Sequence, residues 1–211
     1  MTAAPEAQVT RLSIFPLSGA LLFPGQFLPL HIFEPRYRAM VSDSVARDRR
    51  IGMIQPKGEG EGDRPDLYGI GCVGRIAEVE ALDDGRFNLV LEGLSLFRIV
   101  RELDVTTPFR QVEAELLPLP QDDTLPLAHR SSLEMESRRF AEAHGYSVDW
   151  DSVGRLDDES LVNGIAQIAP FDAAAKQALL EAPDLLTRAD LAVQLLQFFG
   201  RHDGEDRVTL Q

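Results

Sequence analysis

An α+β fold is predicted for this chain: a small β-barrel of about six strands with one short helix, followed by an α-helical bundle. Three observations carry the prediction. Across residues 9–116 apolar side chains alternate with polar ones, and Gly and Pro punctuate them, the pattern of short strands and turns. Beyond residue 126 the apolar residues recur at helical spacing, behind aspartates placed as helix caps. Between the two patterns lies PLPQDDTLP, Pro118–Pro126, which reads as a linker and divides a barrel at 1–118 from a bundle at 119–211.

Taken in order, Val9–Phe15 is the first strand. Phe23-Pro24-Gly25 is a turn, in which Pro24 fixes φ and Gly25 supplies the positive φ of a type II geometry. Phe27–Phe33 reads as a buried strand, and Pro29 marks either a sheet edge or a bend in it. Glu34-Pro35 opens a helix over Arg36–Arg47, with Tyr37, Met40 and Val41 on one face. Arg50–Gln55 is another strand, and PKGEGEGDRP, Pro56–Pro65, is an exposed, mobile polar loop. Tyr68–Ala81 is a long strand or bent pair, where Gly69, Gly71 and Gly74 mark bulges or close backbone approach. Asp83-Asp84-Gly85 is a hairpin turn, and Phe87, Leu89 and Leu91 alternate on the return strand. Gly93-Leu94 precedes a further strand, Ser95–Leu103, and Phe109–Leu116 is the last. Six or seven such strands form a meander able to curl into a barrel.

In the second half Thr124 caps a helix that runs to about His144, with Pro126 in its first turn and Gly145 ending it. Asp157 or Asp158 caps Glu159–Ile168, where Leu161, Ile165 and Ile168 share a face. Asp172 caps Ala173–Ala182, and Asp184 caps Leu185–Phe199, whose stripe Leu185, Ala189, Ala192, Leu196 and Phe199 ends at Gly200. The tail Arg201–Gln211 is polar and frays.

Composition narrows the function classes. The chain of 211 residues carries a formal net charge of −13, which repels nucleic-acid phosphates and anionic membranes. Its single cysteine, Cys72, excludes an internal disulfide framework and a cysteine-rich zinc site. The N-terminal residues show no signal peptide, and no run approaches the length of a membrane span, so the cytoplasm is the expected location.

Three blocks carry a family likeness. The first is RLSIFPLSGALLFPGQFLPLHIFEPRYRAMV, Arg11–Val41; the second is YGIGCVGRIAEVEALDDGRFNLVLEGLSLFRI, Tyr68–Ile99. Both resemble the N-terminal substrate-binding domain of Lon proteases, as does LVNGIAQIAPFDAAAKQALLEAPDLLTRADLAVQLL, Leu161–Leu196. The chain departs from the family pattern at Leu96-Phe97 before Arg98, where one usually basic position is apolar, so any role of that basic side chain does not carry over. The resemblance implies a PUA-like barrel plus a helical bundle, and a non-catalytic protein- or peptide-binding module that is freestanding, without ATPase and peptidase domains.

The residues agree with a non-catalytic reading. An ATP-hydrolysing phosphate loop needs Gly-Lys, and no such pair exists here. A Ser–Lys peptidase needs an activating lysine, and only Lys57 and Lys176 are available. His31 and Glu34 form an H-x-x-E pair, yet zinc requires three or four ligands, so no metal or other cofactor is expected. The paired aspartates sit at turns and helix starts. Cys72 reads as a buried, inert thiol. Arg36 and Arg38 flank Tyr37 and either hold a peptide carboxylate or pair with nearby acids.

The partners expected are unfolded or apolar protein segments, with a protease or other protein as a further partner, and neither nucleic acid nor membrane. Capture is expected in a groove where barrel meets bundle or along an unpaired barrel edge. The candidate binding residues are Phe23, Pro24, Phe27, His31, Arg36 and Tyr37. Two rival readings are an RNA-binding PUA-like protein, against which the charge and the absence of a basic aromatic stripe stand, and an uncharacterised enzyme, which requires a pocket of converging titratable groups.

Overall fold

The computed structural model describes residues 9–58, 64–118 and 124–202. The chain divides into two compact units, residues 1–119 and 120–211. The first contains β1 (Val9–Pro16), β2 (Phe27–Ile32), α1 (Pro35–Val45), β3 (Arg50–Ile54), β4 (Ile70–Ala81), β5 (Phe87–Glu102) and β6 (Gln111–Leu116). The second contains α2 (Leu127–His144), α3 (Trp150–Val153), α4 (Asp158–Ile168), α5 (Ala173–Glu181) and α6 (Leu185–His202).

The six strands form one sheet in the order β2-β5-β4-β3-β1-β6, and a further pairing of β5 with β6 closes five of them into a ring. The meander expected from the sequence is not the topology found. β1 pairs with β3 in parallel, Ile14 opposite Gly52, and β2 and α1 form the crossover that such a pair requires. β2 meanwhile pairs only with β5, so it ends the sheet. β5 is one strand of 16 residues rather than two. Its first part, Phe87–Glu92, pairs with β2, and its second part, Phe97–Glu102, pairs with β6 along the same edge. Gly93 does not interrupt it. A Cβ there would stand 2.1 Å from the Phe23 carbonyl oxygen, so this position admits the backbone of the Phe23 turn. Gly71 has the same role against Met53 O at 2.3 Å, whereas Gly69 has open space around it.

The turn chemistry follows the sequence. Gly25 has φ +73° and Gln26 N–H donates to Phe23 O at 3.1 Å. Gly85, at φ +78°, closes the β4–β5 hairpin. Pro56 is buried and bridges to Leu67, so the expected loop is anchored at its start. Its residues 59–63 lie outside the described residues, as do 119–123 of the expected linker and 203–211 of the expected tail. Alternation places Ile14, Ile51, Met53, Leu89, Leu91 and Phe97 in the interior, where α1 adds Tyr37, Met40 and Val41. Leu96, at the family's basic position, packs half-buried against this core.

The helical unit is built on aspartate caps. Asp157 caps α4 through Ser160 N at 2.7 Å, Asp172 caps α5 through Ala175 N at 2.7 Å, and Asp184 accepts from Thr187 N at 2.7 Å at the start of α6. Three expectations need correction. The residue at the start of α2 is Pro126, with no side-chain cap, and Thr124 lies outside the helix. α6 continues through Gly200, because a single helix-interior glycine costs only about 1 kcal/mol. Ile168, placed on the same face as Leu161 and Ile165, is 80% exposed. The short helix α3, capped by Asp149, lacks the apolar periodicity that reveals longer helices.

Candidate functional site

Strand β2 positions the first surface. Leu28, Leu30 and Ile32 turn inward, while Phe27, Pro29 and His31, and Phe33 just beyond the strand, turn outward and are exposed. Phe27 is 59% and Phe33 61% exposed. Opposite them on β5 stand Glu92, Val90 and Asn88. Gly93 N–H donates to Gln26 O, which fixes the hydrogen-bond phase of this ladder. Residues 28, 30 and 32 therefore bond to β5, and the amide edges of Phe27, Pro29 and His31 face away from it. Pro29 has no N–H, so the middle donor of that edge is missing, which blunts full strand addition.

His31 anchors the polar end of the stripe. Its Nδ1 donates to Asn88 Oδ1 at 2.7 Å, because Asn88 uses its amide nitrogen on Glu80 at 2.9 Å. Nε2 then accepts from Arg86 Nη1 at 3.3 Å. Arg86 in turn holds Asp84, whose carboxyl is lowered to about 2, first by the Arg86 side-chain hydrogen bond and then by the Arg86 N–H. The ring of Phe33 lies 6.4 Å from that of His31. A shallow depression of about 530 Å³ runs over this face, between Pro29, His31, Glu78, Glu80, Asn88 and Val90.

Arg36 and Tyr37 stand elsewhere in the unit, in a cavity of about 630 Å³ that also includes Pro16, Glu34, Arg64, Phe109 and Arg110. Arg36 pairs with Glu34 at 2.9 Å and covers the Tyr37 ring at 4.7 Å from its centroid. Tyr37 is buried against Phe15, ring centroids 4.3 Å apart, and burial pushes its phenol above the ordinary value. Arg64 and Arg110 share Glu102, whose carboxyl is held low by the Arg110 hydrogen bond first. Of the six residues singled out from the sequence, Phe27 and His31 thus share one face, and Arg36 and Tyr37 share one cavity. Phe23 is fully buried and Pro24 buried, so both belong to the core. His31 and Glu34 are engaged with different partners, and no group of three or more potential metal ligands exists among the described residues.

The helical unit carries an apolar groove that periodicity does not reveal. It holds about 430 Å³ and is walled by Phe140, Tyr146, Trp150, Leu161, Ile165 and Leu196, with Ile168 at its margin. The signal was present in Tyr146, Val148, Trp150 and Leu156, apolar residues without helical spacing between two helices.

A closed five-stranded ring with an appended edge strand, and a helical unit built on aspartate caps, define the α+β class of this chain. The family model described as the ATP-dependent protease La (LON) substrate-binding domain matches residues 11–197, and the chain belongs to that family. Lon protease 2 of Myxococcus xanthus is 30% identical over 201 residues, which cover 88% of this chain and 23% of that protein. Lon protease 2 of Sorangium cellulosum is 24% identical over 202 residues, 91% of this chain and 25% of that one. The chain thus spans about a quarter of the length of these relatives. The fold is shared with a Lon N-terminal domain protein from Xanthomonas campestris, with TM-score 0.68, 23% identity, and 90% and 98% of the two chains covered. It is also shared with the N-terminal domain of a Mycobacterium avium complex Lon protease, with TM-score 0.69, 17% identity, and 89% and 98% covered. No helix among the described residues is long and apolar enough to cross a membrane.

Proposed function

We propose that this chain is a non-catalytic module that captures apolar segments of other proteins, with the outward stripe of β2 as its contact surface. The observation that carries the reading is the pair of large aromatic side chains, Phe27 and Phe33, exposed beside a strand that ends its sheet. The two rings stand at opposite ends of the outward stripe, roughly 20 Å apart with Pro29 and His31 between them, so it is the length of the stripe rather than a single patch that fits an extended segment. Covering the exposed part of each ring contributes about 1 kcal/mol, well short of the roughly 8 kcal/mol of a micromolar complex, so the rings bias capture and the rest of the bound segment's contacts supply most of the affinity. The amide edge adds donors at Phe27 and His31 only, so side-chain contact dominates over strand addition.

Membership in the LON substrate-binding family supports this reading, and the relatives' name suggests a protease as a second partner. The net charge of −13 speaks for protein rather than RNA, and for an aqueous compartment such as the cytoplasm. The arginines of the end cavity are bound to Glu34 and Glu102, which favours a structural role over carboxylate capture. A photo-crosslinking phenylalanine analogue tests the surface. Placed at position 27 or 33, it should label an unfolded casein probe, whereas the same analogue at exposed Val100 should not. Equal labelling from all three positions, or none from 27 and 33, rejects the assignment.

A further inference from the structure

We propose that the β2 surface selects extended segments that carry a lysine or arginine between their apolar residues, and that Glu78 and Glu80 of β4 read that charge. The inference rests on the reading of β2 as the capture surface and names the class of segment it takes. The strand registers define the surface row by row. Phe27 stands opposite Glu92, and Glu92 opposite Arg75; Pro29 stands opposite Val90, and Val90 opposite Glu78; His31 stands opposite Asn88, and Asn88 opposite Glu80. These rows cross β2, β5 and β4 on one face, and the second and third line the depression of about 530 Å³.

Each row offers a different chemistry. In the first, Glu92 is already bound to Arg75. In the third, Glu80 accepts from Asn88 through one oxygen, and Asn88 accepts from His31. Arg86 closes this end, shared between His31 and Asp84, and Arg38 lies against Gly85 of the same hairpin. None of these arginines forms an ion pair with Glu78 or Glu80 among the described residues. The middle row stands apart. Pro29 and Val90 make an apolar floor, and Glu78 at its end has no hydrogen bond or ion pair among the described residues. Neighbouring strands lie about 4.8 Å apart, so β2 and β4 are separated by roughly 10 Å. A lysine or arginine that enters over Pro29 lays its methylene stem on Val90 and sets its charged head at Glu78. Glu80, two residues along the same face of β4, adds a second carboxylate. An acidic side chain in the same place meets like charge and is rejected. Aromatic rings at the two ends of the stripe and a free carboxylate beside its middle thus describe one kind of guest, apolar at its ends and basic between them.

The test uses the full chain and three fluorescein-labelled peptides that hold Leu-Ser-X-Ser-X-Ser-Leu in a serine–glycine frame, with lysine, glutamine or glutamate at both X positions. The leucines match the spacing of Phe27 and Phe33, and the paired X positions place one side chain over Pro29 in either chain direction. At low salt, anisotropy should show the lysine peptide bound about threefold to fivefold more tightly than the glutamine peptide, and the glutamate peptide at least about threefold more weakly, the range that exposed ion pairs supply. The lysine advantage should fade at about 0.5 M salt. Glu78→Gln should remove at least about half of that advantage. Glu142→Gln makes the same charge change at an exposed position of the helical unit and should leave the advantage as it is, which separates local pairing from general attraction to a chain of net charge −13. Equal binding of the lysine and glutamine peptides, or a lysine advantage that survives Glu78→Gln with Glu80→Gln, overturns the proposal. The glutamine peptide tests the stripe itself and should weaken in Phe27→Ser with Phe33→Ser. Binding that ignores this double variant, or no saturable binding of any peptide, refutes the capture surface and this inference with it. Dependence on the two rings without a lysine advantage refutes the charge reading alone.

Discussion

Arg188 is buried in the helical unit, where its guanidinium joins three helices: Nε donates to Leu179 O and Nη1 to Asn163 Oδ1, both at 2.9 Å. Charge-assisted bonds of this kind are costly to remove, since Asn163 is itself fully buried. Arg188→Ala should lower stability by about 2 kcal/mol in urea titration, and a loss below about 0.5 kcal/mol would deny the bonds their role. Nothing in LTRADLA marks this arginine for burial, because its partners lie 9 and 25 residues away. Glycines show the same limit. Gly69, Gly71 and Gly74 look alike in sequence, yet Gly71 faces a backbone oxygen and Gly69 faces open space. Gly93→Ala, whose Cβ would meet the Phe23 backbone, should destabilise by at least about 2 kcal/mol, whereas Gly69→Ala should stay within about 0.5 kcal/mol. Paired denaturation curves check both values.

At the scale of elements, the caps of α4, α5 and α6 were legible because capping is local, an aspartate and the N–H groups two or three residues on, whereas Thr124 does not cap α2 and the Asp149 cap of α3 was not expected. Asp149, Asp157 and Asp184 are all held below the ordinary aspartate value of 3.8, Asp149 chiefly by the Ser152 hydroxyl, and Asp157 and Asp184 chiefly by the N–H groups of Ser160 and Thr187. Their folded-state values lie below their unfolded ones, so the unfolded chain takes up protons first as pH falls. The caps therefore stabilise fully above the unfolded value. That contribution is lost as pH drops from about 4 through the depressed folded values. Thermal melts followed at the helical circular dichroism band should fall in midpoint across that window. Asp157→Asn should keep the cap and remove its share of the slope, and Asp157→Ala should cost about 1 kcal/mol at neutral pH. A flat profile between pH values of about 5 and 2 would contradict the account. Strand positions were legible for the same local reason, since alternation sets which residues face inward. Strand order was not. The parallel β1–β3 pair and the division of one β5 edge between β2 and β6 are choices between distant segments.

On the scale of the whole molecule, the sequence distinguished an alternating half from a helical half and left β2 an edge strand or a bent one through Pro29, of which the edge is found. It also singled out Phe27 and His31, which do share a face, but it grouped with them Phe23 and Pro24, which are buried. An apolar residue in a strand is read as core or as contact surface only when its face is known, and the positions of 23 and 24 depend on the approach to Gly93. The acid surface of the whole chain makes a further distinction. Apolar capture changes little with salt, whereas phosphate binding weakens steeply through counterion release. The most direct measurement is fluorescence anisotropy of a labelled unfolded peptide rich in leucine and phenylalanine, free of lysine and arginine, at low and moderate salt. It is made on the parent chain and on the double variant Phe27→Asp with Phe33→Asp, with a labelled RNA in parallel. The account predicts micromolar peptide binding that varies less than about twofold with salt and weakens at least tenfold in the folded double variant. Unchanged peptide binding by that variant, or tight salt-steep RNA binding with no peptide signal, would contradict it.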